Sequence, residues 1–230
     1  ITLNKYLEDI LKVTADVIKN PTFPDAELKS QIAKKKQWFI IENNKVKVIA
    51  QKKFSQIMFG NDNPYANTNK ASDYDSLSRD LFVDFHKQNY NLANCKIIVS
   101  GSYSDKTKLL VEKYFGDTYS DNVIQSIPEF SINPDKARTH FVEKKDALQS
   151  AVRVGRLTIN RDHPDFHGLN ILVTILGGYF GSRLMSNIRE DKGYTYGIGS
   201  TIITFPNAAY FLVATETGSE FCRAALNEIY

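Results

Sequence analysis

Between Asp117 and Arg138 the chain turns to Ser, Asn, Asp and Pro, with Pro128 and Pro134, and carries no sustained hydrophobic period. Such a stretch has no apolar face to bury, so it reads as a linker and argues against one continuous core running from end to end. Before it the apolar spacings are mostly helical. Leu3, Leu7, Ile10, Leu11, Val17 and Ile18 share a face until Asn20-Pro21 ends the helix. Pro24 suits the first turn of the next helix, whose pattern runs from Ala26 to about Phe59 with a break at Asn43-Asn44. Leu28, Ile32, Phe39, Val46, Ile49 and Ile57 form its expected inner face. A loop at 60–64 precedes a helix from Ser76 or Ser78 that should bury Leu81, Phe82 and Phe85. Cys95–Gly101 reads as a strand, and Ser104 caps a helix that closes at Gly116.

After Arg138 the pattern changes. Thr139–Lys144 and Gln149–Ile159 read as strands, the second alternating through Val152, Val154, Arg156 and Thr158. Pro164 starts a helix carrying Leu169, Leu172, Val173 and Leu176, ended by Gly177-Gly178. A short helix from about Ser182 to Asp191, strands near Thr195–Thr204 and Ala208–Thr215, and a helical pattern at Ser219–Tyr230 complete the chain. Helices and strands mixed without strict βαβ alternation predict an α+β fold. Both ends fall within or beside helical patterns and no Met opens the chain, so it reads as a segment of something longer.

Composition narrows the function. The 230 residues are 42% hydrophobic and 24% charged, an ordinary globular balance. No run approaches the roughly 20 apolar residues of a membrane-spanning helix. Two cysteines, Cys95 and Cys222, cannot make a disulfide framework or a Cys-rich zinc site, and both read as buried packing residues. Eight lysines and one acid between Lys29 and Lys53 give that segment +7 of a formal net charge of +3. No arginine accompanies them, and nucleic-acid recognition favours arginine, so the segment reads as a solvated helix face.

Four histidines make the metal search exhaustive. His86 has no acid following it. His140-Phe-Val-Glu-Lys144 puts Lys144 where a second ligand would stand. His163-Pro-Asp-Phe-His167 has the i, i+4 pair but Phe166 in place of a Glu. No phosphate loop, no GxSxG elbow and no dinucleotide fingerprint is present. The unusual stretch is Leu176–Gly197. Glycines 177, 178 and 181 allow close backbone approach between two helices. Arg189 near the end of the second helix, with Tyr196 seven residues on, could orient a peptide carbonyl or an oxyanion. A helix-capping arginine and a packing tyrosine account for the same residues.

Four stretches carry a resemblance. They are Asn20–Leu28 (NPTFPDAEL), Tyr90–Gly101 (YNLANCKIIVSG), Val111–Gly116 (VEKYFG), and Leu176–Leu184 (LGGYFGSRL) running into Asn187–Tyr196 (NIREDKGYTY). With them the sequence resembles the insulinase/pitrilysin family of zinc metallopeptidases, which includes mitochondrial processing peptidases and respiratory-complex core proteins. The resemblance implies parts of two metallohydrolase-like α+β modules, each an antiparallel-rich sheet covered by helices. Residues 1–116 would be the later part of the first module, 117–138 the linker, and 139–230 the opening part of a second, substrate-binding module. In the family HxxEH and a later Glu bind zinc. The HxxEH would lie upstream of Ile1, and the later Glu would fall at Gln37 or Trp38, so no metal ligand is expected here.

The second-module residues that hold substrate backbone in the family match Arg189 and Tyr196. Gly177, Gly178, Phe180 and Ser182 would shape the chamber wall. The resemblance thus implies a zinc-less, substrate-binding subunit or half. A zinc-bearing homologous subunit or dimer partner would supply the metal, and the substrate would be a peptide or protein. A complete zinc peptidase whose metal motif lies outside this chain, and a non-enzymatic core-protein-like assembly subunit, are the alternatives. No catalytic residue, nucleic-acid partner or membrane span is expected, and the expected compartment is the cytoplasm.

Overall fold

The computed structural model describes residues 2–66, 68–90, 95–116 and 130–230. Residues 117–129, most of the expected linker, lie outside the described residues. The chain divides into two compact units, one drawn from Ile1–Gln37 and Lys70–Pro128, the other from Trp38–Asn69 and Glu129–Tyr230.

In the first unit, α1 (Leu7–Lys19) packs with α5 (Asp105–Phe115), and α2 (Asp25–Asn43) begins here. Ser78 caps α4 (Arg79–Asn89) by accepting the Leu81 amide, and Ser104 and Thr107 form a reciprocal capping box on α5. Arg79 Nε and Nη2 donate to the Phe23 and Thr22 carbonyls at 3.0 and 3.1 Å, tying α4 to the turn before α2. Leu81 and Phe85, expected inside, are exposed, and so is Cys95. The Cys95–Gly101 run forms no strand and joins no ladder among the described residues, with Ile98 91% exposed. A strand needs a neighbour to take its amides and carbonyls, and none lies among the described residues.

The second unit is a three-layer arrangement. Strands β1 (Gln149–Leu157), β2 (Thr195–Phe205) and β3 (Ala208–Gly218) make an antiparallel sheet in the order β1-β3-β2. β3 is central and covered on both faces, as a period-two strand with two apolar sides demands. Its residues Ala208, Tyr210 and Leu212 meet Phe54, Met58 and Phe59 of α3 (Val46–Phe59). Val213 on the opposite face meets Leu184, Ile188, Ile198 and Ala225, the last from α7 (Cys222–Ile229). Phe59, 1% exposed, contacts the rings of Tyr65, Phe205 and Tyr210 edge-on at 5.4–5.8 Å. Each such pair adds about 0.5–1.5 kcal/mol beyond burial.

The break expected at Asn43-Asn44 does separate α2 from α3, but the buried residues of α3 are Phe54, Ser55, Met58 and Phe59 rather than the expected inner face. Residues 139–144, expected as a strand, are irregular, with Phe141 87% exposed; no neighbouring strand among the described residues takes their backbone.

Candidate functional site

The Leu176–Gly197 stretch lies wholly in the second unit, and each of its turns has a local cause. After α6 (Phe166–Val173) the chain widens into a π-type turn, Thr174–Gly178. Gly177 there lies against β2. A Cβ on it would stand 2.6 Å from the Ser200 amide nitrogen and 2.7 Å from Ser200 Oγ, so the chain can pass this close only as glycine. Ser200 Oγ donates to the Val173 carbonyl at 2.7 Å and clasps the turn to the strand. Gly178 has the Thr174 side chain over it, and Gly181 the Tyr179 ring.

Ser182 is fully buried, and its Oγ has no partner among the described residues. From Arg183 the chain winds into a second π-type helix, Met185–Asp191, in which Lys192 donates its amide to the Asn187 carbonyl five residues back. Gly193, at φ +65°, ends it in the left-handed conformation that glycine tolerates, and Tyr194 then donates to the Ile188 carbonyl.

Arg189 sits in the last turn of this helix with its side chain 31% exposed. Its guanidinium carbon lies 4.6 Å from the centre of the Phe180 ring, and Nη1 is 3.3 Å from Glu190 Oε1. Phe180 thus supports the planar cation from the loop that precedes the helix. Tyr196 is 92% exposed, with no hydrogen bond from its hydroxyl among the described residues. The fold therefore joins Arg189 to Phe180 and Gly177 to β2, buries Ser182, and turns Tyr196 outward. Close to this helix, Glu228 of α7 accepts from Lys192 Nζ at 2.7 Å and from Asn187 Nδ2 at 3.0 Å. Those bonds hold the Glu228 carboxyl below the ordinary glutamate range, while the bond to Glu228 raises Lys192.

The residues that sequence reasoning missed are hydroxyls that bond the backbone around this stretch: Ser200, Thr195 and Thr215. Thr215 and Thr217 are 2% and 1% exposed, and alternation along β3 could have placed them together on one face.

The described residues do not assemble a zinc site. Among the described residues no group of three or more His, Cys, Asp or Glu converges. Gln37 and Trp38, where a ligand Glu would fall, offer a neutral amide and an indole, and Trp38 is 59% exposed. His163 Nδ1 accepts the Asp165 amide at 3.1 Å.

A family model described as the peptidase M16 inactive domain matches residues 76–230, about two thirds of the chain. The chain belongs to this family. Among curated relatives, an uncharacterized zinc protease of Bacillus subtilis is 24% identical over 220 residues, covering 94% of this chain and 52% of its own length. The mitochondrial-processing peptidase subunit alpha-1 of Dictyostelium discoideum is 30% identical over 118 residues, covering 50% of this chain and 18% of that protein. The chain spans about half the length of the first of these.

Solved structures share the fold. A peptidase M16 inactive domain from Pseudomonas fluorescens has a TM-score of 0.80 at 22% identity, over 100% of this chain and 56% of that one. A protease from Helicobacter pylori has a TM-score of 0.82 at 20% identity, over 99% of this chain and 57% of its own. The M16 inactive domain accordingly carries the α+β fold with its antiparallel sheet. No helix among the described residues is long and apolar enough to cross a membrane.

Proposed function

We propose that this M16 inactive domain is the zinc-less, peptide-holding half of a metallopeptidase. Arg189 and Tyr196 grip the substrate main chain, and Gly177, Gly178, Phe180 and Ser182 shape the wall beside them. The chemistry asked of these residues is binding and orientation. A guanidinium held over the Phe180 ring presents N–H donors to a peptide carbonyl without first losing the freedom of a loose side chain. The exposed Tyr196 phenol adds a second donor from a rigid strand. A zinc-bearing counterpart supplies the Lewis acid and the activated water. The observation that carries the reading is the pairing of Arg189 with Phe180 at 4.6 Å inside the segment matched by the family. The names of the relatives, zinc protease and processing-peptidase subunit, support the peptidase setting.

The test is cleavage of fluorescein-labelled casein by this chain combined with a zinc-bearing member of the family. Cleavage that needs both chains and falls about tenfold or more with Arg189→Ala is expected, the loss of one charge-assisted bond being enough. Cleavage indifferent to Arg189→Ala and Tyr196→Phe would defeat the gripping role. Chelator-sensitive cleavage by this chain alone would defeat the zinc-less one.

A further inference from the structure

The start of β2 is irregular in a way that bears on Tyr196. Thr195 pairs with Thr217 and Ile198 with Thr215, so Tyr196 and Gly197 together face the single residue Glu216. Such a bulge leaves backbone groups outside the ladder and re-aims the side chain it carries. Here two threonine hydroxyls take those groups. Thr215 Oγ1 donates to the Gly197 carbonyl at 2.9 Å, and the Gly197 amide donates to Thr195 Oγ1 at 3.1 Å. Thr195 Oγ1 donates in turn across the strands to the Glu216 carbonyl at 2.6 Å. Thr195 Oγ1 also stands 3.0 Å from the Gly197 carbonyl and 2.9 Å from Thr215 Oγ1, so the two hydroxyls, with one proton each, share these acceptors and between them satisfy both polar groups of Gly197. Thr215 is 2% exposed, so solvent is poorly placed to replace its hydroxyl. The opposing strand is itself pinned: Arg153, its side chain 10% exposed, donates to Glu216 Oε1 at 2.8 Å and to the Thr215 carbonyl at 3.2 Å.

From this juxtaposition we infer that Thr195 and Thr215 are positioning residues for Tyr196. Their hydroxyls select the bulged register over the regular one. Without them the Gly197 carbonyl loses its donor, and the strand gains by returning to an unbulged ladder. A one-residue slip carries a side chain to the other face of the sheet, so the phenol would leave its outward pose. The inference rests on the reading of Tyr196 as a peptide-holding residue, and the test separates the two.

The experiment uses the whole chain with a fluorotyrosine at position 196, read by fluorine NMR without peptide and by casein-binding anisotropy. Thr215→Val is expected to shift or split the fluorine resonance and to weaken casein binding roughly tenfold. Thr215→Ser, which keeps the hydroxyl, should restore both. Thr217→Val is the control, because the Thr217 hydroxyl serves the Tyr194 carbonyl rather than the bulge, and the resonance should stay in place. If Thr215→Val yields no folded protein, Thr195→Val carries the same comparison. An unmoved resonance together with unchanged affinity would overturn the inference. A wild-type chain that binds no casein would instead remove the peptide role of Tyr196, while the fluorine comparison still decides the positioning one.

Discussion

Gly177→Ala probes the joint that builds the site. The added methyl would stand 2.6 Å from the Ser200 nitrogen and 3.0 Å from Leu184 Cδ1, about 0.8 Å short of ordinary contact with the first. Leu184 can give, but the Ser200 nitrogen cannot move alone, because β2 is laddered to β3 through the Ser200–Val213 pair. Overpacking against backbone costs about 1–3 kcal/mol. Displacing Ser200 also strains its bond to the Val173 carbonyl, worth about 1 kcal/mol. Replacing glycine stiffens the unfolded chain and returns roughly 0.4–1 kcal/mol. The clash wins, with a net loss of about 2–3 kcal/mol. For a chain of this size that lowers Tm by about 5–10 °C in a calorimetric scan. Gly168→Ala supplies the comparison. Its Cβ would meet nothing within 4 Å, so alanine in α6 should be neutral or raise stability by about 0.5 kcal/mol. Equal Tm values for the two variants would refute the close-approach reasoning.

Other outcomes follow from the same geometry. Phe180→Ala removes a ring that is 64% exposed, so the fold should persist, while casein affinity falls about two- to fivefold as Arg189 loses a support worth about 0.5–1 kcal/mol. Unchanged affinity would separate Phe180 from Arg189. Ile188→Ala, at a fully buried position in the helix that carries Arg189, should cost about 2–5 kcal/mol in urea titration. Less than 1 kcal/mol would mean that this face is not packed.

The Lys192–Glu228 pair sets a pH dependence. Glu228 titrates below its ordinary 4.5 in the folded chain, so its contribution is present above that value and is lost as pH falls through the folded pKa. Lys192 titrates above its ordinary 10.5, so its share is present below that value and is lost as pH rises through its folded pKa. Glu228→Gln should therefore reduce the acid-side loss of stability in melts between pH 3 and 6, and an acid limb identical to wild type would count against the pairing.

The sequence was most legible where local chemistry decides the outcome. Caps at Ser78 and Ser104 and the break after Asn43 depend on neighbours a few residues away. It was least legible where the answer depends on a distant partner. Ile97, Ile98 and Val99 have strand propensity, but propensity cannot supply a neighbouring strand. Leu81 and Phe85 fall at helical spacing yet face outward, since spacing shows that a helix has an apolar face and not what covers it. In the site, Arg189 and Tyr196 stood out through the resemblance. The threonines that shape the bulge at Tyr196 did not, because a register shift is a relation between two strands rather than a property of either.

Binding of fluorescein-labelled casein to the purified chain, followed by anisotropy without any zinc-bearing counterpart, tests the central claim most directly. The account predicts saturable binding by the wild-type chain that weakens about tenfold or more in the Arg189→Ala/Tyr196→Phe double variant, with an unchanged circular dichroism spectrum. Equal affinity of the two proteins, or no binding by the wild type, would contradict it.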